Sequence, residues 1–361
     1  MGFQSVFERY ADFWNMTNDD RPLIHMTAPK KVVPSKPPAA PESVQQRWLD
    51  TEYQLKLHRY NMEATHYLGE AVPVFNPNLG PDILGAACGC DLQFGESTSW
   101  AEPCVDDYDR FPPIVFDEKN PWWQKICEIT KAAVEDANGD YLVGITDLHP
   151  GADAIVSLRG AEAAAMDIYD EPEQFKARVW EIHAVFQSMT EGLHQIISPG
   201  QKGCTNWMGV IHPEKMWYVT SCDFSYMISP AHFEEFIAPE LEAELDWLPA
   251  SIFHLDGIGS LRHLDRLLAM ENLKGIQWVY GAGQPSAVHW ADVYRKIQNA
   301  GKCLEIPCEM GDVIPLCEVL DPQGVRFNFG VPDKESGEAL LRDVERIYRH
   351  KRGIYAMPAG K

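Results

Sequence analysis

The feature that most constrains this chain is an alternation. Eight apolar, strand-like runs, at residues 21–27, 71–76, 140–147, 203–209, 251–259, 275–281, 302–307 and 325–330, are each followed, after a loop, by a stretch with helical spacing. No two neighbouring runs are joined by a hairpin turn, so each run must reach the next through a crossover, which favours parallel pairing. Eight strand-then-helix units in a chain of 361 residues is the count of a closed parallel (β/α)8 TIM barrel. An open, doubly wound sheet is the main rival, yet no Gly-x-Gly-x-x-Gly follows any run and no phosphate-binding loop occurs.

The opening MGFQSVFERYADFW reads as an amphipathic helix rather than a signal peptide. Ser43 and Gln46 form a capping-box pattern for a helix to about residue 65. The irregular region from residue 77 to 113, rich in Gly, Cys and aromatics, is an excursion after the second strand, and a connection of that length usually covers a site. Further helices are expected over about 121–137, 170–197, 230–247 and 334–350. The expectation is one domain over residues 1–361, a barrel with an N-terminal helix and that excursion.

Charge removes whole classes of function. The formal net charge of −22 disfavours nucleic acid and anionic membrane surfaces, both of which select for Lys and Arg. No run of 18 apolar residues is present. Nine cysteines without Cys-x-x-Cys spacing fit reduced thiols in a cytoplasmic protein better than a disulfide framework.

Barrel active sites lie at the C-terminal ends of the strands. Those ends carry His25, Asn76, Asp147 with His149, Trp207, His254 with Asp256, Tyr280, Glu305 with Cys308 and Glu309, and Asn328. A stability argument does not need so many polar groups at one end. His254 and Asp256 lie two apart on a strand and point the same way. An imidazole and a carboxylate so placed can bind a metal, share a proton or grip a polar substrate.

The stretch Ser229-Pro-Ala-His-Phe-Glu-Glu-Phe-Ile-Ala-Pro239, preceded by Asp223 and followed by the His254 strand, resembles the uroporphyrinogen decarboxylase superfamily. That superfamily includes corrinoid-linked methyltransferases. Gly80-Pro-Asp-Ile-Leu-Gly-Ala-Ala87, with Thr98-Ser-Trp100, is similar to the hairpin-bearing excursion of these proteins, and Asp147-Leu-His149 and the Trp278 strand also fit. The resemblance implies a single β/α barrel, and barrels of the group are often homodimers.

True uroporphyrinogen decarboxylases carry an Arg-rich loop after the first strand, where this chain has His25-Met-Thr-Ala-Pro29. A polycarboxylate would meet Asp147, Asp256, Glu305 and Glu309 without matching cations, which excludes porphyrinogen as substrate. The zinc methyltransferases of the group use a His-x-Cys pair and a late Cys. Here Asp256 replaces the first Cys, and none follows Cys317. That trade makes a harder site, suited to Zn²⁺ or another divalent metal that polarises an oxygen rather than a thiol.

The expected function is therefore a demethylating methyltransferase. It would move a methyl group between a small molecule, such as a methyl ether, and a corrinoid or pterin carrier. The corrinoid would ride on a separate partner protein. Expected catalytic residues are His254, Asp256, Asp147 and Tyr280. Expected substrate contacts are His25, Asn76, Trp100, Trp207, Asp223, Trp278 and Asn328. His254 and Asp256 would hold the metal, with Cys308 or Glu309 as a further ligand. Two alternatives remain open at this point. One is a metal-free decarboxylase of a small aromatic or heterocyclic acid, with Arg326 as carboxylate anchor, and the other is a non-catalytic ligand-binding barrel.

Overall fold

A computed structural model describes residues 2–353. It is a mixed α/β structure with parallel strand pairing and many helices, divided into two compact units. One unit combines the N-terminal segment to Ser35, Asn61–Val72 and the segment from Lys274 onward; the other combines Lys36–Tyr60 and Pro73–Leu273.

In the first unit, strand Leu23–Pro29 pairs in parallel with Val325–Gly330, which pairs with Cys303–Pro307, which pairs with Gly275–Val279. Register sets Gln277, Glu305 and Arg326 side by side. Glu305 and Arg326 are fully buried and joined at 2.5 Å, Gln277 donates to Glu305 at 2.6 Å, and Arg326 Nε donates to the Tyr10 hydroxyl at 2.9 Å. Buried charges persist only when paired and hydrogen-bonded, and this layer meets that condition. It also corrects two expectations. Glu305 does not offer a free carboxylate, and Arg326 is committed to it rather than available as a substrate anchor. A second buried pair, Arg21 with Glu70, ties the N-terminal helix Phe3–Trp14 to the first strand, because Glu70 also accepts from Arg9 and from the Ile24 N–H.

The second unit holds parallel pairs Val74–Phe75 with Leu142–Val143, and Tyr218–Ser221 with Ser251–Asp256. Ile145 bridges in parallel to Asn206. Helix Pro121–Ala137 starts where the Asn120 side chain accepts the N–H groups of Trp122 and Trp123, and Pro172 opens a helix of 26 residues to Ile197.

Several expected elements differ. The helix expected from Ser43 to about residue 65 is broken at Asp50. That residue's carboxylate accepts the Tyr53 N–H and starts a second helix, Thr51–Ala64. The next residues, Thr65–Gly69, form a strand antiparallel to Leu23–Pro29. At Gly69, φ is +63° and a Cβ would lie 2.1 Å from the Ile24 carbonyl, so only glycine closes that edge. The Gly203–Gly209 run shrinks to Cys204–Thr205 and turns back antiparallel on Ile211–His212. A third antiparallel pair, Asp91–Phe94 with Ser99–Glu102, lies in the excursion, where the resemblance implied a hairpin. Strand Tyr218–Ser221 was not expected, although its run of aromatic and β-branched residues has the right propensity.

Candidate active site

Strand alternation places the central pair. Phe253 and Leu255 are buried, whereas His254 and Asp256 are half-buried on the opposite face. Ser221 stands in register with His254 on the neighbouring parallel strand, and Asp223 follows two residues later at the start of a 3-10 turn, Asp223–Met227. Donor atoms of Asp223, His254 and Asp256 consequently lie within 4.8 Å of one another. The ring of Trp207 meets His254 edge-on, 5.3 Å between centroids.

Asp153 holds that arrangement in place. It sits in the first turn of helix Ala152–Arg159, and its two carboxylate oxygens accept the backbone N–H groups of Asp223 (2.9 Å) and Phe224 (2.8 Å). Partial desolvation first, and the Asp153 charge second, push the Asp223 carboxyl up to about 6.

His149 lies among these carboxylates. Its Nε2 is 3.2 Å from Asp147, and its Nδ1 is 3.6 Å from Asp153 and 3.9 Å from Asp223. Burial works against its charge. The charge and hydrogen bond of Asp147, joined by Asp153, outweigh that cost and hold the imidazole well above the ordinary histidine range. The loop carrying it is pinned by Tyr218, whose buried hydroxyl accepts the Leu148 N–H at 2.5 Å and donates to the Thr146 carbonyl at 2.6 Å. Sequence reasoning named His149 beside Asp147 at a strand end without giving it a role, and missed Tyr218 as the support of that loop. The signal for Tyr218 was its place in the overlooked strand.

Beside this cluster opens a cavity of about 370 Å³ lined by His149, Asp153, Asp223, Phe224, Tyr226 and Met227, among others. The Tyr226 ring lies across Gly257 and Gly259, where a Cβ would fall 2.9 Å and 2.7 Å from it. Those glycines read as a turn in the sequence, and here they make room for the aromatic wall. Asn76 Oδ1 and Asn206 Nδ2 are buried polar atoms of this unit with no hydrogen-bond partner. Such atoms cost about 1–3 kcal/mol each unless a ligand or water meets them. Trp100 stands half-exposed on the Ser99–Glu102 strand.

The remaining expected residues belong to the other unit. His25 and Asn328 face each other in register. The His25 Nδ1 is buried without a partner, and burial, aided by the Arg326 charge, holds the ring well below the usual histidine range, so it is neutral. Trp278 is buried edge-on to Trp290, on which Tyr280 stacks. Cys308 and Glu309 do not join a potential ligand group among the described residues. Burial first, then Asp312, pushes the Cys308 thiol well up, and Glu309 is spent as the N-cap of helix Met310–Val319.

Two groups around the cavity could hold a cation: His149, Asp153 and Asp223, or Asp223, His254 and Asp256. In the first, Asp153 is already engaged by two N–H groups and His149 is itself a cation. The second fits better. It offers two carboxylates and one imidazole, a hard donor set suited to Zn²⁺, Mn²⁺ or Fe²⁺.

No protein-family model matches the sequence, and no curated protein matches it. Among solved structures the chain is similar to a methyltransferase from Methanosarcina mazei, with a TM-score of 0.58 at 11% identity over 95% of this chain and 99% of that one. The likeness is one of fold. At that identity no residue role passes from one protein to the other. No helix among the described residues is long and apolar enough to cross a membrane.

Proposed function

We propose that this chain is a methyltransferase on the corrinoid-linked side of the uroporphyrinogen decarboxylase superfamily. It moves a methyl group between a small molecule and a corrinoid or pterin carrier. The reading takes the parallel strands as the wall of a β/α barrel in a reduced, cytoplasmic protein. One observation carries it: the convergence of Asp223, His254 and Asp256 next to a cavity that also receives His149. The likeness of fold to a methyltransferase over nearly the whole chain supports it.

Asp223, His254 and Asp256 would hold a divalent cation. Such a cation supplies Lewis acidity toward an oxygen of the methyl donor, such as a methyl ether. The chain's own groups do the rest. His149 holds a proton between Asp147 and Asp153 and delivers it to the leaving oxygen, general-acid help worth roughly 10²–10⁴ in rate. Asp147 orients the imidazole. Asn76 and Asn206 offer their unpaired amide atoms to the polar part of the substrate, and Trp207 packs against the apolar part. The corrinoid would be carried by a separate protein, since the chain has no Asp-x-His-x-x-Gly motif. No observation favours a decarboxylase, because its carboxylate anchor, Arg326, is bound to Glu305.

Metal analysis of the purified protein beside His254→Ala tests the proposal. An equivalent of divalent metal lost from the variant, together with methyl transfer that stops on chelation, is the expected result. Full activity after exhaustive chelation, or unchanged metal content in His254→Ala, would overturn it.

A further inference from the structure

A third group of potential ligands lies apart from the residues used above. Helix Ala238–Trp247 presents Glu240 and Glu244, four residues apart and therefore on one face. Opposite them, helix Pro172–Ile197 presents His183, whose Nδ1 lies 2.8 Å from Glu240 Oε1. Donor atoms of all three fall within 4.8 Å of one another. Metal–ligand bonds of about 2.0–2.2 Å place donors roughly 3–4 Å apart, so side-chain adjustments alone would close the set.

Glu244 makes this more than a helix contact. It is 1% exposed, its carboxylate oxygens meet no N–H or hydroxyl donor, and its nearest side-chain partner is the Glu240 carboxyl. The charges that act on it, Glu240 and Asp153, have its own sign. Two carboxylates are thus taken out of water with one imidazole between the helices and no guanidinium or ammonium bonded to Glu244. Burying an ionised carboxylate without a cation is among the costliest arrangements available to a fold. The segment just before these glutamates, Phe233–Ile237, is a π-helical turn, a local widening found often at functional sites. Glu240 is also pressed against the loop that carries His149: a Cβ on Gly151 would come within 2.8 Å of its Oε2.

We infer that His183, Glu240 and Glu244 form a second divalent-cation site, structural in role, that clamps the two helices behind the His149 loop. One neutral imidazole, two carboxylates and one M²⁺ make a neutral cluster, which removes the electrostatic objection to burying them. Nitrogen and oxygen donors select Zn²⁺, Mn²⁺ or Fe²⁺ rather than a thiophilic ion. The inference is independent of the methyltransferase reading.

The rival is an uncharged Glu244 that shares a proton with Glu240, and Glu244→Gln separates the two because glutamine mimics a protonated glutamate. Full-length protein is stripped with chelator, reloaded with Zn²⁺, desalted and analysed for metal, alongside Glu244→Gln, His183→Gln and His254→Ala. The expected result is an equivalent of zinc that His254→Ala retains and that Glu244→Gln and His183→Gln lose. Chelation should also lower the thermal midpoint of His254→Ala by about 3–8 °C and leave that of the His254→Ala/Glu244→Gln double variant unmoved. Zinc content in Glu244→Gln equal to wild type, or a His254→Ala midpoint indifferent to chelation, would overturn the inference in favour of the shared proton. If Glu244→Gln does not fold, cobalt(II) substitution decides. A visible spectrum in His254→Ala that disappears in the His254→Ala/His183→Gln double variant supports the site, and identical spectra in both exclude it.

Discussion

His149 shows how two carboxylates change one side chain. Asp147 and Asp153 keep it protonated where an isolated imidazole would titrate near 6.5. His149→Gln should therefore lower kcat for methyl transfer by roughly 10²–10⁴ with little change in KM, whereas Asp147→Asn should lower it less and shift the acidic-to-neutral pH profile. Steady-state kinetics of both variants checks this, and equal losses in kcat and gains in KM would indicate a binding role. Gly257 is a structural counterpart. Its φ is +77°, and an added methyl group would meet Tyr226. Gly257→Ala should cost about 1–2 kcal/mol for the left-handed backbone plus a clash, and a Tyr226→Ala background should return only the clash. Denaturant midpoints of the four proteins measure both parts. The two-residue spacing of His254 and Asp256 was legible from strand geometry. The proton on His149 was only half legible: Asp147 lies two residues away, but whether its charge outweighs burial depends also on Asp153, which the fold brings to the other ring nitrogen.

Among the elements, helix Thr51–Ala64 sets His58 edge-on against Tyr141 (4.5 Å) and Phe75 (5.2 Å). Burial, with help from the Arg59 charge, lowers its pKa to about 4. Since the folded value lies below the unfolded 6.5, the unfolded chain binds the extra proton between those values. Stability is complete above pH 6.5 and is lost as pH falls toward 4. After solvent screening the loss is about 1–2 kcal/mol, and His58→Gln should flatten thermal midpoints across that window. The strand layer of Gln277, Glu305 and Arg326 makes a sharper prediction. Arg326→Met removes the guanidinium bonded to the buried Glu305 carboxylate, which should cost about 3–5 kcal/mol by chemical denaturation. A second change, Glu305→Gln, should recover much of it. Neither element was fully readable in advance. The sequence pattern carried helix spacing past Asp50 without showing that its carboxylate caps a new helix, and Glu305 looked like a site residue because its partner is 21 positions away.

Across the whole molecule, a net charge of −22 means that like charges repel over the surface. Raising ionic strength from low values to about 0.15 M should therefore raise the thermal midpoint, as the screening length falls to about 8 Å. A midpoint that falls instead would show that attractive surface pairs dominate. The amino-acid order alone determined the strand–helix alternation, the parallel pairing that follows from it, and the shared face of His254 and Asp256, because each rests on periodicity within a few residues. It also determined the acidic character that disfavours polyanion partners. Tertiary structure decided where each charge goes: Glu305 to Arg326, Glu309 to a helix cap, Asp153 to two backbone N–H groups, Asp223 to the edge of a cavity and Glu244 to a buried place beside Glu240. Those outcomes depend on desolvation and on partners distant in sequence, and chain closure alone brings such groups together.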